Sequence, residues 1–114
     1  GLPPIKEALE KDVPLWLGTD NVSVCTPIIL EELSFAWSVL RLQSEGAGEL
    51  EAKKLLKAAT INPTKKFNVN FGPLEPGKRA AFVVLERKRN LSNCENPFMC
   101  IVNRARFDNI KTDY

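Results

Sequence analysis

Histidine is absent from all 114 residues. The absence is informative, because a mononuclear zinc or iron hydrolase takes several neutral imidazole ligands. Ser and Cys nucleophiles are likewise activated by a neighbouring imidazole, so Ser23 and Cys25 carry no nucleophilic reading. An excess of one charge is also lacking. Sixteen Lys and Arg against 14 Asp and Glu leave a net charge of +2, too small for a nucleic-acid footprint. No apolar run approaches the roughly 20 residues of a membrane-spanning helix, and the start has neither the basic nor the apolar region of a secretory signal. Neither a G-x-x-x-x-G-K-[ST] nor a G-x-G-x-x-G loop occurs, which removes the phosphate-cradling motifs. Cysteine is scarce: Cys25, Cys94 and Cys100 are odd in number and lack C-x-x-C spacing. They read as free thiols of a cytoplasmic protein, although Cys94 and Cys100 could pair if they face each other across a turn.

What is present is ordinary globular material, 44% hydrophobic and 26% charged, enough for one domain with a modest core. Apolar spacing predicts a helix over 3–11, with Pro3 and Pro4 at its start and Ile5, Ala8 and Leu9 on one face. Thr26-Pro27 predicts a second helix start, followed by the inward set Ile29, Leu30, Leu33, Ala36, Trp37 and Leu40. A third helix is expected over 49–59 with Leu50, Leu55, Leu56 and Ala59 inward, and Asn62-Pro63 restarts a short turn carrying Phe67. Downstream, Glu75-Pro76-Gly77-Lys78 is a turn. Strands are expected over 80–85 and 99–102, with Phe107 and Ile110 as a last edge. The two tryptophans, Trp16 and Trp37, read as core.

The stretch that carries chemistry is Val13-Pro14-Leu15-Trp16-Leu17-Gly18-Thr19-Asp20-Asn21. A short apolar run ending in Gly-Thr-Asp-Asn suits a strand buried on both faces. Its polar tail then sits at the carboxyl end, where α/β sheets and barrels build their sites. Gly18 permits a sharp turn, and Asp20 becomes a carboxylate on a rigid strand end. Capping of the following turn is the plainer role for such an Asp.

With Pro3-Pro4-Ile5-Lys6-Glu7-Ala8-Leu9 before it, this stretch resembles the last helix and strand of a metal-dependent amidohydrolase barrel. The similarity is to the branch with cytosine, guanine and adenosyl-compound deaminases and chlorohydrolases. Leu55-Leu56-Lys57-Ala58-Ala59-Thr60-Ile61-Asn62-Pro63 is similar to that family's closing barrel helix. Phe71-Gly72-Pro73-Leu74-Glu75-Pro76-Gly77-Lys78-Arg79-Ala80-Ala81 is similar to its G-x-L-x-x-G-K-x-A-D stretch, with Ala81 where the family has Asp.

The resemblance implies an α/β chain: the terminal segment of a (β/α)8 barrel over 1–67, then part of a small β-sandwich domain over 68–114. It implies a hydrolase of carbon–nitrogen bonds other than peptide bonds, acting on a small molecule, with Asp20 as metal ligand and proton shuttle. The metal would be zinc or iron in the parent enzyme and absent from this chain alone, because the His ligands are not here. A first residue other than Met fits a trimmed C-terminal piece. Such a piece would pair with its missing N-terminal part or self-associate through exposed apolar faces; nucleic acid and membrane are not expected partners. Two other readings stand beside this one, a stand-alone non-catalytic interaction module and a basic domain binding anions through Arg87-Lys88-Arg89.

Overall fold

Helix α2 (Ile29–Gln43) is the centre of the computed structural model, which describes residues 1–112. Leu30, Leu33, Ala36, Trp37 and Leu40 recur at helical spacing and all are buried, the amphipathic stripe that drives such a helix onto a core. Glu31 and Glu32 lie in its first turn and Arg41 in its last, matching the helix dipole. It begins two residues beyond the expected Thr26-Pro27 start. Ile28 is extended, its N–H held by the Thr26 carbonyl at 2.8 Å, and it takes the N-cap position without a side-chain cap.

Two further helices pack on this one and on each other, α3 (Glu49–Ala59) and α5 (Pro97–Arg104); the intervening α4 is Ile61–Phe67. Ala52, Leu55 and Ala58 form the inward face of α3; the two alanines let neighbouring backbones come close, and each fully buried Leu contributes about 1.5–3 kcal/mol. Leu50, expected inward, is 61% exposed; it stands on the opposite side of the helix from that stripe. The Glu51 carboxylate accepts from the Gly48 N–H at 2.8 Å, satisfying an amide ahead of the first turn. A hydrogen bond from Lys53 holds the Glu49 carboxyl below the usual carboxylate range. The same ammonium lies 4.7 Å from the centroid of the Phe98 ring, tying α3 to α5.

Helix α1 (Ile5–Glu10) is shorter than the expected 3–11 and docks on α2 through Ile5 and Leu9. Gln43 completes it from the end of α2: its Oε1 accepts from the Lys6 N–H at 3.0 Å and its Nε2 donates to the Pro3 carbonyl at 2.8 Å. Lys54 on α3 closes the other end, donating to the Leu9 carbonyl at 3.0 Å. In α4, Asn62 and Pro63 lie inside the helix rather than at its cap. The Asn62 amide instead donates to the Leu15 carbonyl at 3.2 Å.

The expected β-sandwich part is not what the second half forms. Among the described residues the only β pairing is an isolated antiparallel bridge between Leu85 and Ile110. Residues 80–83 have no β partner among the described residues, and Phe82 and Val83 are more than half exposed; Val84 is reached only by the Lys111 N–H on its carbonyl at 2.9 Å, and a strand needs a neighbour along its length. The 99–102 run is helical, within α5. Four consecutive apolar residues suit either state, and the local start signal decides. Asn96 accepts from the Met99 N–H at 3.0 Å and Pro97 opens the helix, the arrangement that favours helix initiation. Phe107–Asn109 is a 3-10 turn, so only Ile110 of the expected edge strand pairs. The 68–114 unit assumed from the resemblance also extends to two residues, 113 and 114, outside the described part.

Cys94 and Cys100 are joined in a disulfide, with Cα atoms 6.0 Å apart. That corrects the free-thiol expectation for these two, while Cys25 is free and exposed. Cys100 lies in the first turn of α5, at a Cα separation from Cys94 that a disulfide spans. No helix among the described residues is long and apolar enough to cross a membrane.

Candidate active site

Residues 13–19 leave α1 as an extended segment laid across the helices. The N–H of Leu17 donates to the Ala58 carbonyl at 3.0 Å, and the Leu15 carbonyl takes the Asn62 amide. Leu15, Leu17 and Thr19 are half-buried while Trp16, Gly18 and Asp20 are exposed. This period of two is strand geometry, with one face on the core and no strand alongside among the described residues. Trp16, expected in the core, is 50% exposed. It lies on the outward face, with its ring 6.1 Å from that of Phe67 and the Lys66 ammonium 5.8 Å from its centroid.

The sharp change of direction falls on Asp20, not on Gly18. Asp20 has φ of 53°, the left-handed region that Asp and Asn tolerate better than other side chains. The next turn is organised by its neighbour. Asn21 Oδ1 accepts from the Ser23 N–H at 3.0 Å and from the Ser23 hydroxyl at 2.6 Å, and the Asn21 carbonyl accepts from Val24 and Cys25. Turn capping, the plainer role open to Asp20, is thus performed by Asn21. The Asp20 carboxylate is exposed and makes no hydrogen bond or ion pair among the described residues.

One carboxylate without imidazoles does not by itself fit a catalytic metal. Among the described residues no group of three or more His, Cys, Asp and Glu side chains is placed to hold one. A cavity of about 740 Å³, an open cleft between α4 and residues 68–78, does not include Asp20. The Arg87-Lys88-Arg89 run is partly committed to structure: Arg87 Nε donates to the Leu91 carbonyl at 3.3 Å and Lys88 to the Asp108 carbonyl. Asn62 was legible only as a helix cap, and its role in anchoring the Asp20-bearing segment depends on a carbonyl distant in sequence.

Against known proteins, the model of the Amidohydrolase family matches residues 1–112. The chain belongs to the amidohydrolase family. Among curated relatives, 5'-deoxyadenosine deaminase of Methanococcus maripaludis is 31% identical over 90 residues, covering 78% of this chain and 21% of the relative. The protein of that name from Methanosarcina acetivorans is 28% identical over 98% of this chain and 26% of its own length. The 5-methylthioadenosine/S-adenosylhomocysteine deaminase of Pyrococcus horikoshii is 25% identical over 98% of this chain and 27% of its length. The amidohydrolase chain thus spans about a quarter of the length of these relatives. No solved structure matches it significantly.

Proposed function

We propose that this chain supplies the terminal barrel segment of a deaminase acting on adenosyl-type nucleosides. In this reading residues 1–67 close the barrel and the remainder belongs to its small companion domain. Asp20 would contribute one oxygen ligand to a divalent metal, zinc or iron, held mainly by residues outside this chain, and its carboxylate would accept and return a proton as ammonia leaves. The observation that carries the reading is the uncommitted carboxylate at the end of an extended segment, with its structural duty taken over by Asn21. The relatives' names favour adenosyl substrates over cytosine or guanine. The imidazole ligands come, in this reading, from polypeptide outside this chain.

The direct test is ammonia release by the intact natural polypeptide from 5'-deoxyadenosine, 5-methylthioadenosine, cytosine and guanine. Release from the adenosyl compounds, lost on chelation, is expected. Release from cytosine or guanine alone would overturn the substrate class, and release from none would overturn the deaminase reading.

The same reading assigns partners to the exposed apolar side chains. Val13 and Trp16 on the extended segment and Phe67, Leu74, Phe82 and Val83 downstream are each between about half and 70% exposed. Of these, Trp16 and Phe67 lie together, their rings 6.1 Å apart, and a contiguous exposed apolar patch marks a surface that is covered by something. The covering element is the rest of the barrel, so the 114-residue chain alone is expected to self-associate in light scattering and to become monodisperse when the rest is supplied. A dilute, stable monomer would count against this.

A further inference from the structure

Away from Asp20, the Cys94–Cys100 disulfide lines a cavity of about 340 Å³ with Leu85, Arg87, Leu91, Pro97 and Ile101. Two features set it apart from a structural cross-link. The bridge closes a short loop, a sequence separation of 6, and such loops gain least from cross-linking. The start of α5 is also already fixed without it, by the Met99 N–H on Asn96 Oδ1 and the Cys100 N–H on the Asn96 carbonyl at 3.1 Å. The bond can therefore open while the helix stays in place. The two residues are unequal: Cys94 is half-buried at the edge of the core, whereas Cys100 is 7% exposed within it. Among the described residues Arg87 is the only charged one lining this cavity, and its Nε–H bond to the Leu91 carbonyl at 3.3 Å holds the side chain at the wall.

We propose that this cavity is a thiol–disulfide exchange site for anionic low-molecular-weight thiols, with Cys94 as the attacked sulfur. The incoming thiolate forms a bond to Cys94 Sγ. The Cys94–Cys100 bond breaks, its electron pair leaves on Cys100 Sγ, and that thiolate takes a proton from solvent. A second small thiolate attacks the small-molecule sulfur of the mixed disulfide and releases the oxidised small disulfide. Cys94 leaves as a thiolate and is protonated in turn. The protein gains two electrons and two small thiols lose them. Arg87 selects the anionic thiol by holding its carboxylate or sulfonate beside the cavity mouth.

The test uses the intact natural polypeptide, oxidised and then treated with 2-mercaptoethanesulfonate or with cysteamine, with alkylation and peptide mapping at Cys94 and Cys100. Arg87→Gln is expected to slow opening by the sulfonate thiol about three- to tenfold while leaving cysteamine unslowed, the size of a screened single-charge contact. Arg87→Lys should restore most of the loss. Using each thiol as its own reference cancels differences in intrinsic reactivity. In Cys100→Ser, exposure to the disulfide of 2-mercaptoethanesulfonate should leave the mixed disulfide on Cys94, and in Cys94→Ser the buried Cys100 should react about tenfold more slowly. Equal slowing of both thiols in Arg87→Gln would overturn the proposal. So would preferential modification of Cys100, opening only in denaturant, or failure of the two cysteines to pair on oxidation.

Discussion

Asp20→Asn in the intact natural polypeptide is expected to lower kcat for deamination by about 10²–10⁴-fold, the range supplied by one positioned proton-transfer group. Its effect on folding should be near zero, within about 0.5 kcal/mol, as for other exposed substitutions. The backbone gives no reason for a larger change. Asn tolerates the left-handed conformation at this position as well as Asp does, and the Asp20 carboxylate has no partner among the described residues to lose. Asn21→Ala is the matched opposite. It removes the acceptor of Ser23 and should cost about 1 kcal/mol in stability, as loss of a side-chain cap does. Its effect on kcat would be indirect, through the position of Asp20. If Asp20 is instead a structural residue, the pattern reverses: Asp20→Asn lowers the midpoint of unfolding and leaves kcat within about twofold. Measuring both quantities on both variants separates the two roles.

Legibility of the sequence tracked how local each signal was. The α2 stripe from Leu30 to Leu40 and the bounds of α3 at Glu49 and Ala59 follow from periodicity and dipole-compatible charges within one element, and the structure has them. Around the site, the apolar run from Val13 to Leu17 reads as a strand buried on both faces, whereas only Leu15, Leu17 and Thr19 turn toward the core and Trp16 and Gly18 are exposed. Trp16 reads as core yet is 50% exposed, because which face meets the core depends on α3 and α4. The largest error lay in 99–102, where apolar content was weighed above the Asn96-Pro97 start signal. The 80–85 segment has strand composition, but pairing is a property of neighbours and not of the segment itself. Asp20 was identified through a resemblance. What the structure adds is the division of labour with Asn21, which no spacing rule distinguishes when Asp and Asn are adjacent.

The packing of residues 105–111 against 84–90 centres on one side-chain amide, which no sequence signal anticipated. Asn109 is fully buried and uses all its polar capacity. Its Nδ2 donates to the Glu86 carbonyl at 3.1 Å and to Asn90 Oδ1 at 2.9 Å; its Oδ1 accepts from Asn90 Nδ2 at 2.7 Å and from the Arg106 N–H at 2.9 Å. Either side of it, the Asn109 carbonyl takes the Glu86 N–H at 2.7 Å and the Lys111 N–H reaches the Val84 carbonyl at 2.9 Å. Asn109→Ala leaves the Asn90 amide, the Glu86 carbonyl and the Arg106 N–H without this partner. An unsatisfied buried group costs about 1–3 kcal/mol, and water entering the vacated space relieves part of that, so a loss of about 3 kcal/mol is expected in urea unfolding. Asn90→Ala removes the reciprocal pair but spares the Glu86 and Arg106 contacts, so it should cost about half as much by the same reasoning. Because the residues touch, the double variant should fall well short of the sum of the singles. Strict additivity, or a loss below about 0.5 kcal/mol for Asn109→Ala, would mean that this network does not hold the segment after α5 against residues 84–86. The Leu85–Ile110 bridge flanks the same amide. Amide exchange at Glu86 and Lys111 should therefore accelerate together in Asn109→Ala, since one side chain fixes the register of both bonds.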